Sequence, residues 1–167
     1  MTTAEEIIKA LKMKPLALEG GFYCETYRAK GIIPKDVLPK QYGSDRSFGT
    51  AILYLIDKNS FSSLHRIKSD EVFHFYMGDS VTMLQLLPDG SSKVSTLGRD
   101  ITRGQKVQLV VPANVWQGCF VNDGGEFALM GTTVTPGFEF EDFEPADRDQ
   151  LLEQYPDQRK LILRLTR

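Results

Sequence analysis

The chain has 167 residues, 20 basic and 22 acidic side chains and a formal net charge of −2, so it suits one domain that can bury roughly 70% of its unfolded surface without staples. Apolar residues are 41% and charged residues 25%, and near-neutral charge without a basic cluster argues against a nucleic-acid backbone as partner. No apolar run approaches the ~20 residues of a membrane span, and the opening MTTAEEIIKALKMK has acids where a secretory signal has its apolar core.

In chain order, Thr3 with Glu6 makes a capping-box pattern ahead of Ile7, Ile8 and Leu11, which predicts a short first helix. From Gly20 to Thr135 the texture is β-type. Strands are expected near Phe22–Arg28, Thr50–Ile56, Ser62–Ile67, Glu71–Met77, Val81–Leu87, Lys93–Leu97, Lys106–Val111, Trp116–Val121 and Ala128–Val134, with turn residues between them. Pro88-Asp89-Gly90 is the clearest hairpin signal, and Pro34 to Tyr42 leaves room for a helical turn. The acidic Phe138–Glu144 stretch, with phenylalanines interleaved, reads as an amphipathic strand or loop packed on the barrel. Asp147 then caps a helix through Leu152, and Pro156 opens a second. The pattern predicts an all-β sandwich or barrel: one domain over 1–167, with its core at about 20–135 and a helical tail at about 146–167.

Two cysteines, Cys24 and Cys119, are too few for a disulfide framework and lack metal-type spacing, so a reducing cytoplasm is expected, with a single bridge between them left open. The chemistry-bearing feature is LHRIKSDEVFHFYMG, in which the only two histidines, His65 and His74, bracket Glu71. Histidine supplies a base or ligand near neutral pH, and a carboxylate orients it or shares a metal. By strand alternation Glu71, Phe73, Phe75 and Met77 share one face, and Val72, His74 and Tyr76 the other.

These residues resemble the first motif of the cupin superfamily, G-x5-H-x-H-x3,4-E-x6-G. His65, Glu71 and Gly78 hold their places, while Ile67 stands at the second histidine and Asn59 at the opening glycine. Pro112 and Gln117 keep the proline and histidine spacing of the second motif. Four segments in order, GGFYCETYR, FSSLHRIKSDEVFHFYMG, VPANVWQ and VTPGFEFEDFE, are similar to the cupin subfamily DUF985 (Cupin_5). The resemblance implies a double-stranded β-helix (jelly-roll) barrel with short terminal helices, commonly paired as a homodimer. It carries no defined reaction, since fold does not fix function.

The expected site joins catalytic His65, Glu71 and Tyr23 with ligand-binding Gln117, Trp116, Phe73, Phe75, His74 and Glu25. The expected function is binding of a small sugar- or nucleotide-like molecule, with metal-independent isomerisation or epimerisation. His65 would be the base, Tyr23 or Tyr27 the acid and Gln117 an orienting donor; no cofactor is required. The alternatives are a metal-dependent, dioxygenase-like enzyme holding a divalent metal on His65, Glu71 and Gln117, an incomplete set by donor count, and a non-catalytic sensor. No nucleic-acid or membrane partner is expected.

Overall fold

A computed structural model describes residues 2–167. Helix α1, Ala4–Ala10, starts on the expected capping box: Glu6 N–H donates to Thr3 Oγ1 and Thr3 N–H to Glu6 Oε2. The strands are β1 Lys14–Pro15, β2 Phe22–Arg28, β3 Ile32–Ile33, β4 Arg46–Ser47, β5 Thr50–Asp57, β6 Phe61–Arg66, β7 Asp70–Gly78, β8 Val81–Leu86, β9 Ser92–Leu97, β10 Gln108–Val111, β11 Trp116–Val121, β12 Phe127–Thr135 and β13 Glu144–Pro145. Helices α2, Arg148–Gln154, and α3, Arg159–Leu165, end the chain; Asp147 caps the first, and Pro156 opens the 3-10 turn that leads into the second.

The order β1-β2-β5-β12-β7-β10 forms one antiparallel sheet and β13-β6-β11-β8-β9 the other. Neighbours far apart in sequence, such as β5 with β12 and β6 with β11, give the jelly-roll barrel that the resemblance implies. Tyr54, Phe73, Phe75, Met83, Leu97 and Met130 fill the space between the sheets. Alternation sends the intervening residues outward. There α2 and α3 cover Leu84, Leu86 and Phe120, while α1 covers Leu55 and Leu129. Each fully buried side chain of this kind contributes about 1.5–3 kcal/mol.

All nine expected strands form, with ends within two residues. The two-residue strands β1, β3, β4 and β13 are too short to leave a periodic signal, and the turn after Pro34 is a single 3-10 turn at Lys35–Val37. Two bulges change which side chains point inward. Opposite β5 the pairing passes from Glu25↔Ile52 to Tyr27↔Ala51, leaving Thr26 as the extra residue. Opposite β12 it passes from Phe75↔Met130 to Met77↔Leu129, leaving Tyr76 as the extra one. Arg28 therefore follows Glu25 onto the inner face and Tyr27 is turned out. Met77, expected inside with Glu71, is turned out as well and is exposed.

Candidate functional site

A cavity of about 310 Å³ opens along the inner face of β2, β5, β12 and β7. Ile52, Ile67, Val134, Leu16 and Leu18 supply apolar wall, while Tyr23, Glu25, Arg28, His65, Glu71 and Thr132 supply polar groups. The segment 137–143, carrying Phe138, Phe140 and Phe143, straps across it.

Glu19 enters from the turn before β2. That turn uses Gly20 and Gly21, both with left-handed backbone at φ 110° and 70°, and a Cβ on Gly20 would collide with the Phe61 carbonyl oxygen. Tyr54 Oη donates to the Gly20 carbonyl and Ser62 Oγ donates to Glu19 Oε1 at 2.6 Å, which fixes the carboxylate over β6.

His65 is 2% exposed, and its Nδ1 lies 2.7 Å from the Ser63 carbonyl oxygen. A carbonyl only accepts, so Nδ1 carries a proton; in the neutral imidazole the lone pair is then on Nε2, 3.8 Å from Glu19 Oε2. Phe143 stacks on the imidazole at 4.8 Å and holds its plane. Glu71 accepts from Gln117 Nε2, and the pairing of β11 with β6 sets Gln117 beside His65. Gln117 Oε1 is buried and has no partner among the described residues. Burial, reinforced by the Glu19 charge, pushes the Glu71 carboxyl above its usual range; His65 and the donors Gln117 and Thr132 pull the other way.

At the mouth, Arg28 donates to both carboxylate oxygens of Glu25, at 3.1 and 2.9 Å, to Glu139 at 2.7 Å and to the Phe138 carbonyl. The other end of the strap is fastened by Arg46. Its side chain is fully buried and makes a two-point pair with Asp142 at 2.9 and 2.6 Å. The acidic Phe138–Glu144 stretch, expected to pack on the barrel, is this strap, and β13 ends it against His65 and Arg66.

The structure brings His65, Glu71, Tyr23 and Glu25 to one cavity, with Gln117 bonded to Glu71. Four other expected site residues lie elsewhere. Trp116 precedes Gln117, so alternation puts it on the outer face, where Arg66 lies 4.4 Å over its ring. His74 also faces outward, its Nε2 3.1 Å from Thr133 Oγ1. Phe73 and Phe75 do point inward, but deeper than the cavity, as packing. Gln117 spends its N–H on Glu71 and is an orienting donor to that carboxyl. Tyr27 is 58% exposed, removed by the Thr26 bulge. Glu19 was not foreseen; the adjoining Gly20-Gly21 pair, which forces the turn, is the signal that marks it.

Ile67 is part of the cavity wall at the position where the family motif has a ligand histidine, and the Gln117 amide nitrogen faces Glu71 rather than a point shared with His65. Among the described residues no three His, Cys, Asp or Glu side chains are grouped to hold a metal ion. The donor set His65, Glu71 and Gln117 does not fit one.

The chain is similar to the uncharacterized protein YML079W of Saccharomyces cerevisiae, 29% identical over 133 residues; the match covers 74% of this chain and 66% of that protein, just under two thirds. It is similar to the crystal structure of protein SO0799 from Shewanella oneidensis, at 31% identity and TM-score 0.88, over 100% of this chain and 99% of the other. A hypothetical protein from Leishmania major superposes with TM-score 0.87 at 29% identity, over 99% of each chain. The pattern of Cupin_5, described as Cupin superfamily (DUF985), matches residues 5–146. With the barrel and four motif segments already in place, that match makes the chain a member of the Cupin_5 (DUF985) family of cupins.

Proposed function

We propose that the barrel binds a small hydroxylated, sugar-like molecule and moves a proton on it without a metal, as an isomerase or epimerase. The observation that carries this reading is the tautomer of His65: the Ser63 carbonyl holds the Nδ1 proton, so Nε2 is free to act as base, with Glu19 at 3.8 Å to stabilise the imidazolium that forms. His65 Nε2 takes a proton from the carbon next to the substrate carbonyl, and the C–H electron pair moves into an enediolate. Return of the proton from Nε2 to the former carbonyl carbon, with the hydroxyl proton passing to the other enediolate oxygen, isomerises the substrate, whereas delivery of a proton from the Tyr23 hydroxyl to the opposite face of the original carbon epimerises it. Nucleotide-like ligands have less support, because Arg28, the full cation at the cavity, is already paired with Glu25 and Glu139.

The test is solvent-deuterium incorporation by NMR across a panel of aldoses and ketoses, before and after chelator treatment. The expected result is exchange that survives chelation and falls by about 100-fold or more in His65→Ala. Ligand binding without exchange makes the barrel a binding module, and activity lost on chelation and restored by a metal overturns the metal-free reading.

The same reading includes a homodimer formed by the outer face of the six-stranded sheet, which exposes Tyr27, Tyr76 and Val110. Light scattering at micromolar concentration tests it, with the dimer mass expected and lost in Tyr76→Glu.

A further inference from the structure

We infer that the ligand of this cavity carries a basic nitrogen: the site is built for a small organic cation, an amine-bearing polyol rather than a sugar acid or a sugar phosphate. This rests on the reading that the barrel holds a small molecule, and it names the chemical class.

The polar groups on the cavity floor ask for donors. Glu19 presents a carboxylate, His65 presents the lone pair of Nε2, and Glu71 keeps one oxygen beyond the one that Gln117 engages. The Glu19 side chain is 14% exposed and Glu71 is 8% exposed. A carboxylate taken this far out of water is unfavourable without donors around it, so a ligand that brings N–H groups to this cluster relieves a cost already present in the fold.

The charges around the cavity agree. Glu19, Glu25, Glu71 and Glu139 line it, against the single full cation Arg28. Four of the five N–H groups of Arg28 are already engaged by Glu25, Glu139 and the Phe138 carbonyl, and two carboxylates already balance its charge. A phosphate or carboxylate entering here meets carboxylates, while an ammonium meets acceptors that strengthen when charged. The rings of Tyr23, Phe138 and Phe140 offer π faces beside the entrance, and Phe143 is committed to His65.

The potential of the cavity can be read without knowing the ligand. In a Cys24→Ser background, Ile52→Cys and Leu18→Cys each place a thiol in the wall, one deep and one at the rim. Cys119 stays silent, fully buried with its thiol pushed far up by burial and by Glu19 and Glu71. Each variant is treated with a trimethylammonium-ethyl and a sulfonato-ethyl methanethiosulfonate, with rates normalised to a small free thiol. The expected result is a preference for the cationic reagent of about tenfold or more at low salt, shrinking as salt rises. Equal rates, a preference for the anionic reagent, or no reaction with the cationic one at either position overturns the proposal.

A second arm compares glucosamine, glucose and glucuronate by calorimetry with the unaltered protein. The order expected is glucosamine above glucose above glucuronate, and tighter binding of glucuronate overturns the cationic class. If none of the three binds while the thiols retain the cationic preference, the part that fails is the sugar-like frame of the proposed function and not the charge of its ligand.

Discussion

Gln117 Nε2 donates to Glu71 Oε2 at 2.5 Å, and this bond ties β11 of one sheet to β7 of the other beneath the cavity. It reaches a carboxyl that is 8% exposed, in a wall where Glu19 contributes a second negative charge. The Gln117 amide and the Thr132 hydroxyl soften the burial of this carboxylate but do not cancel it.

The consequence for stability has a definite sign. The folded protein raises the Glu71 pKa above its ordinary 4.5, so the fold favours the protonated carboxyl. That advantage is complete below 4.5 and is lost as pH rises through the folded value, each pKa unit being worth about 1.4 kcal/mol. Glu71→Gln is therefore expected to be more stable than the natural protein at pH 7, with the gap closing below pH 4.5. Urea midpoints from pH 4 to 8 measure it, and parallel curves for the two proteins would refute the assignment.

The two cysteines sit on opposite faces of their sheets. Cys24 is half-buried beside α1 and Cys119 is fully buried in the interior, and both are free thiols. A native-state thiol assay is expected to titrate Cys24 alone, with Cys119 appearing only in denaturant. Two fast thiols in the native protein, or none after unfolding, would contradict this placement.

The barrel was legible because nine strands alternate long enough to show a period of two, and their turns carry Gly, Pro, Asn and Asp. His65 and Glu71 were legible through spacing. What escaped was whatever breaks the period. An extra residue at Thr26 or Tyr76 leaves no compositional mark, yet it takes Tyr27 and Met77 off the inner face. Trp116 was misplaced for the opposite reason: next to an inward Gln117, strict alternation already sends it outside. Glu19 and Arg46 act through turns and long-range ion pairs, and a carboxylate in a loop looks the same in sequence whether it faces water or a cavity.

Arg46 shows how much such a contact can matter. Its guanidinium is fully buried, and besides Asp142 it reaches Glu141 at 2.7 Å and the Ser44 carbonyl. Arg46→Met keeps the length of the side chain but leaves Asp142, itself 3% exposed, with Lys68 at 3.6 Å as its remaining cation. Removing one partner of a buried pair costs about 3–5 kcal/mol. A denaturant titration should show a loss of that size, and the double variant Arg46→Met/Asp142→Leu should recover a good part of it. A single variant as stable as the natural protein would mean that this pair does not anchor the strap.

Arg28 holds the opposite end of the strap on different terms. Its side chain and that of Glu139 are 39% and 41% exposed, so water and salt compete for the pair. Pairs of this kind contribute about 0.2–1 kcal/mol. Next to them, Phe138 N–H donates to Thr50 Oγ1 and Gly137 N–H to the Ser47 carbonyl, two bonds that report on whether the strap is down. Arg28→Ala should therefore change global stability by less than about 1 kcal/mol while exposing the cavity at this end. Hydrogen exchange is the measurement: the Phe138 amide is expected to exchange faster in the variant and in high salt, while the Asp142 amide, bonded to the Glu139 carbonyl beside the Arg46 anchor, keeps its rate. Acceleration of both amides together would mean that the strap opens as one body, and no change at Phe138 would remove Arg28 from its closure.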